Sequence, residues 1–291
     1  MTTLRRINQK KVTPMKFKDE KPEDNRPIKG AELFDKLCCN IFICAPTTGG
    51  KTTLALDIIK ECTTKKTTVI HFCPEIYTDQ KQKRIKKYCK LKGIPYQAYM
   101  SLYEKDDQGN KVNILRDMTL ELKLKKKNDD EDEDNENDGD DVQRNLAELF
   151  NNDEDDEDDE DDDMESKKYR APEYLFYFDD IGHELRDPVI YEFIKASRHS
   201  KCKVIFSSQD AKDLVPKSIG QLKYCILFSK LCDDAIEHIY KRTGNIIDLD
   251  TFTKQYKIAT QNGKYSFFYI DVDNHKYRQN FDFEFDNDEF N

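Results

Sequence analysis

The stretch CAPTTGGKTTLALDII, from Cys44 to Ile59, constrains the fold more than any other part of the chain. An apolar run, Asn40–Cys44, leads into it, and Leu54, Ala55, Ile58 and Ile59 follow at the spacing of one helix face. Strand, glycine-bearing turn and amphipathic helix in that order aim several backbone N–H groups at one point, a natural seat for phosphate. Gly49 and Gly50 allow the backbone a close approach, Lys51 adds charge, and Thr52 adds a hydroxyl at the helix start. The pattern G-x-x-x-x-G-K-[ST] is met everywhere except its first position, where Ala45 stands. That position only ends the strand, so alanine serves there if its φ stays negative. The residues expected to cradle a nucleoside triphosphate are Ala45, Pro46, Thr47, Thr48, Gly49, Gly50, Lys51, Thr52 and Thr53.

The second half of the chain supplies partners for this loop. Tyr174–Phe178 is a continuous apolar strand ending in Asp179-Asp180. Asp187-Pro188 opens a helix, with Asp as cap and Pro in the first turn, and Val189, Ile190, Phe193 and Ile194 form its apolar face. Val204–Ser207 and Tyr224–Phe228 read as further strands. Strand, helix and strand within about 35 residues form a βαβ unit and hence a parallel sheet. Ligands of such sheets bind at the carboxyl ends of the strands. Asp179 is therefore expected to hold Mg²⁺ with Thr52, and Asp180 to polarise an attacking water, with Glu184 as the alternative for that second role. Gln209 ends the next strand at the same edge, where it could contact the γ-phosphate or the water. The helix from Pro188 must run away from this edge. Arg198 at its far end could reach only a neighbouring subunit's phosphate; otherwise it is a cation favoured by a helix C-terminus. His199 reads as a packing or capping residue.

Thr68–Cys73 is a buried strand, and Lys81–Lys92 a strongly basic helix. On it Lys81, Lys83, Arg84, Lys86 and Lys87 either line a DNA path or form a solvated face. Short strands are expected at Tyr96–Met100 and Met118–Lys125. Helices are expected at Asp233–Arg242 and Asp250–Tyr256, and a hairpin of Lys264–Val272 with His275–Phe281 turning at Asp273-Asn274. The organisation that emerges is a basic arm over residues 1–30, an α/β core over 31–230 interrupted by an acidic insertion at 128–168, and a C-terminal extension over 231–291.

Charge sharpens this division. Asp129–Glu165 carries 23 acidic residues and one basic residue, a net of −22. The other 254 residues hold 47 basic against 35 acidic side chains, a net of +12, although the whole chain is formally −10. A basic body suits polyanions. The insertion, broken only by Val142–Phe150, buries too little apolar surface to fold and reads as a disordered expansion, or alternatively as a mimic of DNA. Nine scattered cysteines without a C-x-x-C pair suggest neither disulfides nor a zinc site and fit a reduced compartment. No apolar run approaches a membrane span or a signal-peptide core, so no membrane partner is expected.

APTTGGKTT, YLFYFDDIG, SRHS followed by KVIFSSQ, and LVPKSIGQLKYCILF, in this order, resemble the FtsK–HerA superfamily of P-loop ATPases, and within it the genome-packaging branch of large DNA viruses, virophages and Maverick/Polinton elements. The resemblance covers roughly residues 37–230, and more weakly FFYIDV and YRQNF. It implies a RecA/ASCE-like α/β fold, with a mainly parallel sheet flanked by helices, and a homo-oligomeric ring with Arg198 acting in trans. It further implies ATP and Mg²⁺ as cofactors, double-stranded DNA and a capsid or portal vertex as partners, and a host cytoplasmic or nuclear assembly site or the virion as location. Besides Ala45, the chain departs at Gly220, near where relatives often carry an arginine. Another P-loop DNA-dependent ATPase, a helicase, or a nucleotide kinase is the competing reading. A two-core helicase finds no room for a second motor after Leu231, and Arg242 and Arg278 alone make no kinase lid.

Overall fold

The computed structural model describes residues 24–106, 108–131, 163–197 and 200–286. In chain order, β1 (Asn40–Cys44), α1 (Lys51–Cys62), β2 (Thr68–Phe72), α2 (Gln80–Leu91) and β3 (Tyr96–Tyr99) lead to a small hairpin of β4 (Tyr103–Lys105) and β5 (Lys111–Asn113). Next come α3 (Ile114–Glu131), α4 (Asp163–Lys168), β6 (Tyr174–Asp179), a 3-10 turn over Gly182–Arg186, α5 (Pro188–Ser197) and β7 (Cys202–Ser208). The chain continues through α6 (Pro216–Ile219), β8 (Tyr224–Phe228), α7 (Asp233–Tyr240) and α8 (Leu249–Thr260), then closes with β9 (Phe267–Asp271), β10 (Lys276–Gln279) and β11 (Phe283–Glu284).

Nine strands form one sheet in the order β11-β10-β9-β8-β1-β7-β6-β2-β3. The six strands from β8 to β3 are mutually parallel, and β9, β10 and β11 add on antiparallel. The central strands NIFIC, YLFYFD and YCILF are buried throughout, because helices cover both faces and no strand residue can turn to water. One core joins the sheet to α1 and α2 through Ile58, Ile59, Ile85 and Cys89; the other joins it to α3, α5, α7 and α8 through Leu115, Phe193, Ile236 and Phe252. In the second core Phe72, Phe178 and Phe206 stack across adjacent strands at 4.9 and 5.0 Å, and Phe193 meets Phe176 and Phe178 edge-on.

Strand β7 lies between β1 and β6, so three strands deliver their carboxyl ends side by side. Register pairs Cys44 with Ser208 and Asp179 with Ser207, which brings the phosphate-type loop and the acidic pair to one rim. Helix α5 runs the other way: Ser197 Oγ reaches Asn40 Oδ1 at 3.2 Å, at the amino end of β1. Asp187 caps that helix as expected, accepting from Val189 N at 2.9 Å.

The structure corrects three expectations. Met118–Lys125 is helical, not a strand. The alternation of Met118, Leu120, Leu122 and Leu124 imitates a half-buried strand, but Leu115, Met118 and Leu122 are buried while Leu120 and Leu124 are exposed, a helical stripe. Asn113 starts the helix by accepting from Arg116 N at 2.8 Å, and Leu, Lys and Glu favour its continuation. The end of the acidic insertion, Asp163–Lys168, is also helical, and so are 128–131 at its start. Lastly, the base of the basic arm is docked. Ile28 bridges Arg170, Arg26 donates to Ser166 O at 2.9 Å, and Lys29 Nζ lies 2.5 Å from Glu165. Residues 1–23 and the Val142–Phe150 segment lie outside the described residues. The hairpin forms as expected, with Asn274 N donating to Asp271 Oδ1 at 3.0 Å, and it extends the central sheet rather than standing apart.

Phe193 fills the second core without touching the rim. Phe193→Ala should lower the unfolding free energy by about 3–5 kcal/mol, read as a shift in the urea midpoint at unchanged slope.

Candidate functional site

The loop leaves β1 at Ala45 and enters α1 at Lys51. Gly50, the cap of α1, has φ 113, a conformation costly for any residue with a Cβ. A Cβ there would also meet Tyr265 Cδ1 at 3.0 Å and Phe228 Cε1 at 3.3 Å. At Gly49 a Cβ would lie 2.8 Å from Pro46 O, so both glycines are needed by the path of the chain. Thr48 takes a positive φ of 61, a strained value of the kind that tight ligand loops hold. Ala45 is not among the positive-φ residues, as its place at the strand end requires.

A cavity of about 470 Å³ opens over this loop. Pro46 to Thr53 line it, as do Asp179, Asp180 and Gln209; Ala45 stays beneath, its side chain buried and its carbonyl accepting from Lys51 Nζ at 3.2 Å. Lys51 Nζ also lies 3.2 Å from Asp180 Oδ2. Gln209 spans the gap, donating to Asp180 Oδ2 at 3.1 Å and accepting from Thr47 Oγ1 at 2.6 Å. Asp180 itself has φ 50, so the turn after β6 is held against its own preference.

Asp179 is nearly inaccessible and fully engaged. Oδ1 accepts from Ser207 Oγ; Oδ2 accepts from Thr52 Oγ1 at 3.3 Å and from Gln82 Nε2 at 2.5 Å. Thr52 and Asp179 thus offer two oxygens side by side at the mouth of the helix, a hard donor set suited to Mg²⁺. Glu184 is not available for work at this cavity. Its carboxylate accepts from Ser101 Oγ and Leu102 N, both at 2.8 Å, and so fastens the 3-10 turn to the loop after β3.

Arg198 and His199 lie outside the described residues, one and two positions beyond the end of α5. Gly220 is exposed with φ −64, a conformation open to any residue. Gln82 was missed by sequence reasoning. It sits in the buried stripe Gln82, Ile85, Cys89 of α2, and a glutamine in an otherwise apolar stripe is the signal that could have revealed it. Ser207 and Glu75 were also missed, as was the place at the cavity of Lys81, which the sequence suggested only for a DNA path or a solvated face. Glu75 and Lys81 border the cavity from the β2–α2 side.

The loop, the helix and a carboxylate strand with one strand between make a P-loop NTPase fold. No protein-family model matches the chain, and no curated protein matches it in sequence. Among solved structures it is similar to the genome packaging NTPase B204 of Sulfolobus turreted icosahedral virus 2 in complex with AMPPCP. The TM-score is 0.48 at 13% identity, over 84% of this chain and 97% of that one. The DNA-packaging ATPase B204 of Sulfolobus turreted icosahedral virus gives 0.46 at 16% identity, over 82% and 95%. The pCW3 conjugation coupling protein TcpA gives 0.45 at 11% identity, over 80% of this chain and 57% of that one.

Two substitutions at the loop should behave oppositely in a fluorescent-nucleotide titration. Gly50→Ala should weaken triphosphate binding about ten- to hundredfold, because both backbone and neighbours resist a Cβ. Ala45→Gly should leave affinity within about twofold.

Proposed function

We propose that this chain is an ATP-hydrolysing motor that threads double-stranded DNA into a preformed viral capsid. The observation that supports it is the meeting of Lys51, Asp180 and Gln209 at one rim, beside the Thr52–Asp179 pair. Phosphates entering the cavity would take Lys51 from Asp180. Asp180, released from its ion pair and still held by Gln209, would then orient the attacking water and accept its proton. Thr52 and Asp179 would hold Mg²⁺, which neutralises charge on the β- and γ-phosphates when bound. Gln209 would report loss of the γ-phosphate to the loop through Thr47. Arg198, in this reading, completes the site of the adjacent subunit of a ring, an assignment motivated by the course of α5, which ends at Ser197 near the amino end of β1.

The DNA contact we assign to α2. Lys81, Lys83, Arg84, Lys86, Lys87 and Lys90 are all exposed, and none is paired with a carboxylate among the described residues. Six unpaired cations on twelve helical residues repel one another unless a polyanion lies against them. The same helix holds Gln82 on Asp179, so a shift of α2 on DNA would be felt at the carboxylate that grips the metal. Docking at a capsid or portal vertex follows from the packaging reading, as does residence at the site of viral assembly.

Linear double-stranded DNA should raise ATP hydrolysis several-fold, and Lys51→Ala should abolish it. Hydrolysis indifferent to DNA would count against the motor, and phosphorylation of nucleoside monophosphates would favour the nucleotide-kinase reading instead. Replacing Lys83, Arg84, Lys86 and Lys87 by Glu should remove the stimulation and flatten the salt dependence of DNA binding by about one unit of log–log slope per lost phosphate contact.

Gln82→Ala should reduce turnover more than ATP affinity, since it frees Asp179 without touching the loop; a titration beside a steady-state assay separates the two. Arg198→Ala should bind ATP without turning it over. Mixing it with Asp180→Ala subunits should restore some hydrolysis, and a mixture inactive at every ratio would remove the trans role.

A further inference from the structure

Beneath the phosphate cavity the sheet carries a second cluster of chemically active side chains. Register pairs His71 with Tyr177 and Phe72 with Phe178, so Cys73, the next residue on from β2, comes opposite Asp179. An imidazole nitrogen of His71, the Sγ of Cys73 and a carboxylate oxygen of Asp179 lie within 4.8 Å of one another, and all three residues are buried. The His71 ring is fixed in place. It stacks on Tyr177 at 4.6 Å, and its Nδ1 lies 2.9 Å from the Tyr96 hydroxyl. Its Nε2 is buried and has no hydrogen-bond partner among the described residues. Buried polar atoms without partners are rare, and one on an imidazole that stands with a thiol and a carboxylate points to a ligand. With Nδ1–H donating to Tyr96, Nε2 presents a lone pair.

We propose that His71, Cys73 and Asp179 bind a thiophilic divalent cation of the Zn²⁺ class, and that filling this site silences the ATPase. Sulfur and imidazole select such an ion over Mg²⁺, which takes oxygen and keeps its waters. Thiolate and carboxylate balance the two positive charges beside a neutral imidazole, so the buried site is neutral overall. Cys73 and Asp179 both border the cavity, which leaves a fourth, tetrahedral position open to water. The orienting partners are in place: Tyr96 on the imidazole and Ser207 on Asp179 Oδ1. Ligand atoms of a tetrahedral zinc site lie about 3.3–3.8 Å apart, so the three side chains would close in by roughly 1 Å. Binding breaks the Cys73 S–H bond, forms a metal–sulfur bond and releases the proton to solvent, with no change of oxidation state. It also draws Asp179 Oδ2 away from Thr52 and Gln82. The inhibitory half of the proposal rests on the ATPase reading above; the metal-binding half does not.

Full-length protein without nucleotide, given one equivalent of Co²⁺, should develop a near-ultraviolet thiolate charge-transfer band and the intense visible bands of four-coordinate cobalt. Cys73→Ser should lose the charge-transfer band, whereas Cys232→Ser, at an exposed cysteine, should keep it. X-ray absorption of the wild-type protein with one equivalent of Zn²⁺ needs no variant. It should show one sulfur at about 2.3 Å with nitrogen and oxygen at about 2.0–2.2 Å. In assays saturated with Mg²⁺ and ATP, the Zn²⁺ concentration for half-inhibition should rise at least about tenfold in Cys73→Ser. A zinc shell with no sulfur or with two or more, or a charge-transfer band that survives in Cys73→Ser, overturns the site. Equal inhibition of both proteins overturns the regulatory role. Absence of any ATP hydrolysis would instead count against the motor, and the absorption result would still decide the metal site.

Discussion

The ion pair between Lys51 and Asp180 is the contact on which the rest of the structure depends. Lys51 is almost wholly buried, and a buried ammonium without a counter-charge is costly. Two features keep it where it is: the carbonyl of Ala45 below and the carboxylate of Asp180 beside it. That arrangement exists only because β7 is inserted between β1 and β6. With the strands adjacent, the loop and the carboxylates would share one groove, and Gln209 would have no place between them. As built, the glutamine contacts both sides of the gap, Asp180 on one and Thr47 on the other.

Burial separates the two carboxylates at the end of β6. Asp179 sits at the end of the strand proper, ringed by Ser207, Thr52 and Gln82, with both oxygens already accepting hydrogen bonds. Asp180, one residue on, has turned out of the sheet with a positive φ and stands at the open side of the cavity. Adjacent residues of one strand end thus differ in exposure because the pleat directs one down against the helices and lets the other turn out.

Much of this was legible in the sequence, because the β1–α1 loop and the strand Tyr174–Asp179 each carry a pattern tied to a mechanism. Apolar runs buried on both faces read as strands without ambiguity, and Asp187-Pro188 marked its helix. What stayed hidden was set by contacts between distant segments. Nothing local to Arg26–Gly30 shows that Arg170 and Ser166 wait for it 140 residues away. Glu184, four residues after Asp180, looked like a base in reserve until the loop after β3 supplied two donors to its carboxylate. In α3 the local pattern was actively misleading: Leu120 and Leu124 complete a two-residue alternation yet face water, since the helix is chosen by the cap at Asn113 and by the core that receives Leu115, Met118 and Leu122.

The rim of the sheet is braced from both flanks. From one flank α2 reaches in with Gln82 to the metal-type carboxylate; from the other, Phe228 at the end of β8 and Tyr265 before β9 lean against Gly50. Tyr265 is largely exposed on its other side. A protein interior transmits displacement well because it is close-packed. A ligand that moves the loop therefore presses on the antiparallel edge, and a partner that moves α2 presses on Asp179. The antiparallel strands β9, β10 and β11, which sequence reasoning assigned to an extension, continue the central sheet, and the residue that leads into them touches the loop.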